Sequence, residues 1–157
     1  YIMTKINLDK LQASKVGNIE SIIADVVLPN GSLVAIDEAV TGERELQKVK
    51  TPALADEVLL VASVEMHYDT KYADQLDYEL PIGEAGRAYH LTIGYKFQVE
   101  QTMFAATPNK GDIVEVNPAT LGYTAVTTGA RVTFLVEALT LFGYAKTPMA
   151  RLRVLTV

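Results

Sequence analysis

The sequence predicts an all-β protein, an antiparallel β-barrel or sandwich of about nine or ten short strands with little helix. Three observations predict it. From Arg87 to Val99 the odd positions Tyr89, Leu91, Ile93, Tyr95, Phe97 and Val99 are large and apolar, while the even ones are nearly all small or polar. That period of two belongs to a strand with one buried and one wet face, whereas a helix would scatter the same residues around its circumference. Short β-rich runs recur along the whole chain between Pro, Asn and Gly turn signals, and helical periodicity is almost absent. Finally, 157 residues suffice for one domain with a full core, and with 49% hydrophobic and 21% charged residues the chain is no disordered segment.

Residues 1–17 read as an N-terminal arm, in which Asn7 could cap a single helical turn or the chain could run extended, and residues 18–157 as a single barrel or sandwich domain. Ile19 to Leu28 is rich in β-branched residues and stops at Pro29-Asn30-Gly31, so that it forms a first hairpin with Leu33 to Ile36. Glu43 to Val49 carries a weak edge-strand pattern ended by Pro52. Ala53 to Glu57 reads as a loop or short turn. Val58 to Met66 is an apolar run of strand length that suits burial on both faces.

Between His67 and Gly86 the character changes to about 20 residues rich in tyrosine and acid, long for a connection inside a domain and therefore functional or mobile. The strand from Arg87 follows, with Gly94 as the natural point of division. It predicts Leu91, Ile93 and Phe97 inside and His90, Lys96 and Gln98 outside. Turns at Pro108 to Gly111 and Asn117 to Gly122 bracket strands at Asp112 to Val116 and Tyr123 to Val126. Arg131 to Leu141 alternates Val132, Phe134, Val136 and Ala138 against Thr133, Leu135, Glu137 and Leu139. Met149 to Val157 closes the chain, with Arg151 and Arg153 on one face and Leu152 and Val154 on the other.

A net charge of −5 with dispersed acids argues against a nucleic-acid binder, whose affinity needs clustered Lys and Arg. With no cysteine, disulfides and thiolate metal sites are impossible. No apolar run has the length of a bilayer-crossing helix, and the start YIMTKINLDK lacks the basic-then-apolar layout of a secretory signal.

Catalytic signals are absent: serines occur in no Gly-x-Ser-x-Gly frame, glycines form no phosphate loop, and the neighbouring carboxylates Asp37-Glu38, Asp56-Glu57 and Glu43-x-Glu45 read as solubilising. His67 and His90, more than 20 residues apart and without local ligand pairing, are weak support for a metal site, and His90 is expected to be solvated or hydrogen-bonded. The expectation is a protein without enzyme activity, cofactor or metal. Asn30-Gly31-Ser32 matches a glycosylation acceptor, but the turn explains it better. Tyr68, Tyr72 and Tyr78 are the partner-binding candidates, since tyrosine combines rigid area with a polar tip. The alternative is that they fold back as a lid on the core.

The order of short motifs carries a resemblance. Pro29-Asn30-Gly31 is followed by Gly42-Glu43-Arg44-Glu45, Pro52, Met66-His67-Tyr68-Asp69, Gly86-Arg87-Ala88-Tyr89, the strand pair split at Gly94, and Lys110-Gly111-Asp112-Ile113-Val114. In this order, from about Asn18 to Val126, the chain resembles the capsid decoration (cement) proteins of tailed bacteriophages. The resemblance implies a structural virion protein made in the bacterial host cytoplasm, bound to the outer head surface, stabilising capsomer contacts. Its partners would be the major capsid protein and other copies of itself, with no nucleic acid or membrane. Another phage structural part (a tail-tube or head–tail joining protein) and a stand-alone ligand- or carbohydrate-binding β-domain are the alternatives; the absence of tryptophan weighs against the last.

Overall fold

The computed structural model describes residues 6–7, 19–43, 45–63 and 78–157. Among these described residues thirteen strands follow one another: β1 (Ile6–Asn7), β2 (Ile19–Ile23), β3 (Leu28–Pro29), β4 (Leu33–Ala39), β5 (Leu46–Lys50), β6 (Leu59–Val61), β7 (Glu79–Leu80), β8 (Ala85–His90), β9 (Lys96–Glu100), β10 (Ile113–Asn117), β11 (Gly122–Ala125), β12 (Thr133–Phe142) and β13 (Thr147–Thr156). The one helical element among the described residues is a 3-10 turn, Gln101–Met103. The all-β prediction therefore holds. Several of the thirteen strands are only two or three residues long, below what pattern reading resolves.

Strands β2-β5-β4-β6-β8 close into a barrel, β1-β9-β13-β12-β10-β11 form a six-stranded sheet, and β3 pairs with β7. A bridge between Phe104 and Tyr123 brings the chain just after β9 against β11, the far edge, so the larger sheet curls round its own core. Inside lie Phe97, Tyr123 and Phe134, with ring centroids 5.5–6.4 Å apart, and Phe104 stacks on Tyr123 at 5.1 Å.

Strands β4 and β6 are a wall shared by the two cores. Leu33 and Leu60 pack with the six-stranded sheet's interior, whereas Val34, Leu59 and Val61 fill the small barrel with Ile22, Leu28, Leu80 and Ala88. Burial on both faces is why Val58 to Val61 reads as an unbroken apolar run. The turn before β4 is pinned to the strand end beyond β6. Asn30 donates from Nδ2 to the Ser63 carbonyl oxygen at 3.1 Å and accepts from the Ser63 N–H at 2.8 Å. Gly31 has φ +98, and a Cβ there would lie 2.7 Å from Met103 Sδ; both the turn and its contact demand glycine.

Four expectations are corrected. Ile19 to Leu28 and Leu33 to Ile36 do not form a hairpin, because β2 pairs with β8 and, in parallel, with β5. Closing a five-stranded barrel needs a partner for each strand on both sides, and that long-range demand outweighs the local turn. For the same reason β5 is no edge strand: β2 and β4 flank it.

On β8 the buried face is Gly86 and Ala88 rather than Tyr89. A Cβ on Gly86 would meet Leu80 Cδ2 at 2.4 Å, so small residues point into the narrow barrel and the larger ones stay outside. Finally, Ile93 is 62% exposed in the turn at Gly94, and Gln98 is buried on β9, which is covered on both faces; Leu91 and Phe97 are buried as expected. β12 and β13 match their predicted faces at Phe134, Val136, Leu152 and Val154, which lie inside, but an irregularity at Glu137 shifts the alternation of β12, so that Leu139 and not Ala138 follows Val136 on its face. Part of the expected arm, β1, is extended and pairs with β9, Ile6 opposite Val99.

Candidate functional site

Of the three tyrosines expected to bind a partner, Tyr68 and Tyr72 lie outside the described residues. Tyr78 is only 8% exposed and packs with Leu28 and Leu80 in the small barrel's core. Its side chain anchors the start of β7 from below rather than presenting a surface of its own.

The surface beside that anchor is apolar. β3 runs antiparallel to β7, with Leu28 opposite Leu80 and Pro29 opposite Glu79, and the Gly83 N–H reaches the Ala24 carbonyl oxygen at 3.1 Å. Between these two ties Val26 and Val27 run alongside Pro81 and Ile82. Val26, Val27 and Ile82 are 48%, 46% and 61% exposed, so the two tied stretches of chain present large apolar side chains to solvent. The chain kinks here because Asp25 interrupts the β-branched run and Gly83, at φ +76, turns the segment between β7 and β8.

A groove of about 440 Å³ includes Ile82 and is lined by the apolar Ile23, Ala24 and Val49, by Gly83, and by the charged Asp25, Asp37 and Lys48. Lys48 is held by Glu38 at 2.7 Å. Apolar side chains beside charges of both signs are a composition suited to protein docking, in which apolar burial supplies affinity and charges set orientation. Sequence reading missed this patch by placing Val26 and Val27 inside a regular strand. The acid at position 25 and an isoleucine within a Pro-x-Gly turn were the available signals.

The other candidates are explained by structure. His90 lies between Glu57 (Nδ1 to Oε1, 2.6 Å) and Glu20 (Nε2 to Oε1, 3.1 Å). Burial opposes its protonation, but the two carboxylates outweigh it and raise its pKa above the ordinary value. The three residues join β8, β2 and the entry to β6 into one ion-paired tie. Among the described residues no group of three or more His, Cys, Asp or Glu is placed to hold a metal ion.

Glu115 is 1% exposed on β10. Its Oε1 accepts from the backbone N–H and hydroxyl of both Thr127 and Thr128, and its Oε2 from the Ala130 N–H. Burial works against its ionisation, yet these donors outweigh it and hold the carboxyl at about 2. The charge folds the 127–130 loop back onto the sheet, so Glu115 is a structural clamp. Asn30 is 3% exposed, with its amide committed to Ser63, which answers the glycosylation pattern in favour of the turn. Asp56 accepts from the Ala53 N–H at 3.0 Å and lies 3.4 Å from Lys50, stabilising a surface turn.

No family model, no curated protein and no solved structure matches the chain.

Proposed function

We propose that this chain is a structural virion protein, a decoration (cement) protein that binds the outer surface of a tailed-phage head and stabilises contacts between capsomers without catalysing a reaction. The order of short motifs from about Asn18 to Val126 supports the family, and the all-β architecture is compatible with it. One observation carries the binding role: Val26, Val27 and Ile82 are exposed on two stretches of chain that backbone hydrogen bonds tie together, an apolar surface that a partner would cover. The proposed docking surface is this one, beside β7.

The partners under this reading are the major capsid protein and neighbouring copies of the chain, with no nucleic acid or membrane. Modest affinity per copy is sufficient on a symmetric shell, where neighbours that also touch one another add avidity. Electron microscopy of phage particles containing the chain tests the assignment: density for the fold on the outside of the head is expected. Density confined to the tail or the head–tail junction would replace it with the other virion roles.

A further inference from the structure

The two longest strands end in a ribbon with one guarded edge and one bare edge. β12 and β13 each run ten residues. β10 faces β12 only at Thr133–Leu135, and the Gly111 and Asp112 backbone extends that contact to Val136. β9 faces β13 only from Met149 to Arg153. Beyond these points the ribbon stands alone among the described strands. On the β13 side Pro148, which has no N–H to offer, guards the edge. The β12 side is Ala138-Leu139-Thr140-Leu141-Phe142, without charge or proline, with Leu139 43% and Leu141 66% exposed. An apolar, uncharged edge of this kind is a template for another strand.

The register of that edge follows from β13. Leu152 and Ala150, two residues apart, face Val136 and Leu139, so these two hold equivalent positions on either side of an irregularity at Glu137. The Val136 N–H donates to the Asp112 carbonyl oxygen at 2.9 Å, and its carbonyl accepts from the Gly111 N–H at 2.8 Å. Both groups thus point away from β13. By equivalence Leu139 turns its N–H and C=O to the same side, and so, two residues on, does Leu141.

We propose that the β12 edge pairs antiparallel with the same edge of a second copy, about a two-fold axis at Thr140. In this register Leu139 of each copy meets Leu141 of the other and exchanges both backbone hydrogen bonds with it, four bonds in all. The segment is therefore complementary to itself, as an isologous interface requires. Thr140 meets its own counterpart at the narrow, non-hydrogen-bonded position on the two-fold axis. A five-residue edge buries less than a standard interface, so the dimer is weak and concentration-dependent. It uses a different surface from the Val26–Ile82 patch and stands or falls independently of capsid binding.

Sedimentation equilibrium over a wide concentration range tests it. The wild type should rise from 17.1 kDa towards twice that mass. Leu141→Lys changes an exposed residue, leaves the fold intact, and should weaken association at least about tenfold by setting a charge on the edge. The chain has no cysteine, so Thr140→Cys introduces a single thiol. On mild oxidation it should form a disulfide dimer faster than Tyr144→Cys, a fully exposed control at the ribbon tip. A wild type that stays at 17.1 kDa throughout, a Leu141→Lys variant that associates as tightly as wild type, or a Tyr144→Cys variant that crosslinks faster than Thr140→Cys would each overturn the pairing.

Discussion

Tyr123 donates its phenolic hydrogen to the Gly31 carbonyl oxygen at 3.1 Å, tying the interior of the six-stranded sheet to the turn that enters the small barrel. Both partners are buried, and burial pushes the Tyr123 hydroxyl well above its usual pKa, so it remains a donor throughout the accessible pH range. Tyr123→Phe keeps the aromatic cluster and removes only this bond, leaving a buried carbonyl unsatisfied. It should cost about 1–2 kcal/mol, read as a lowered urea midpoint with an unchanged slope.

Phe97 and Ile93, both apolar positions of one alternating run, should respond oppositely to truncation. Phe97 is fully buried against Phe134 and Tyr123, whereas Ile93 is 62% exposed. Phe97→Ala should cost roughly 3–5 kcal/mol and Ile93→Ala under about 0.5 kcal/mol in equilibrium unfolding. Gln98→Ala, at a buried position, should cost more than Ile93→Ala.

Glu115 gives the protein an acid-sensitive clamp. Its folded pKa of about 2 lies below the ordinary 4.5, so its contribution is fully present above the ordinary value and is lost as the pH falls through about 2. With the discount for the exposed 127–130 loop that supplies its donors, the contribution is of order 2 kcal/mol. Glu115→Gln should lower stability at neutral pH and flatten the fall between pH 4.5 and 2, measured by urea unfolding at a series of pH values.

His90 has the opposite sign. Its pKa is raised, so its tie to Glu20 and Glu57 is complete below the ordinary value of 6.5 and is lost as the pH rises through the folded value. Both carboxylates are partly exposed, which keeps the effect under about 1 kcal/mol. An NMR titration of the imidazole should show a midpoint above 6.5 that falls in Glu57→Gln.

The elements legible in the sequence are those whose partners are local. β12 and β13 form a hairpin over a short loop, so alternation identifies both strands and the inner face of the half nearer the core, Phe134 and Val136 against Leu152 and Val154, but not the irregularity at Glu137 that shifts the rest of β12. β8 shows the limit of the same reasoning. Alternation identifies two faces, but the interior of a narrow barrel takes Gly86 and Ala88, and size is then a misleading guide to burial. The parallel pairing of β2 with β5 is fixed by closure of the ring, a constraint that no local pattern carries. At the candidate surface, tyrosine content pointed to the segment before β7. Tyr68 and Tyr72 lie outside the described residues and Tyr78 is buried, while the exposed apolar residues beside β7 are Val26, Val27 and Ile82, of which strand alternation places the two valines inside a regular strand.

Capsid binding through that patch is most directly tested by mixing the purified wild type and Ile82→Asp with undecorated phage heads and sedimenting the particles. Ile82 is 61% exposed, so the variant should unfold at the wild-type temperature. Placing a charge in a buried apolar contact should cost 2 kcal/mol or more, about a thirtyfold loss of affinity. The account predicts that the wild type pellets with the heads at saturable occupancy and that Ile82→Asp largely stays in solution. Equal occupancy by both would move the docking surface elsewhere on the fold, and failure of the wild type to bind any head would contradict the decoration role itself.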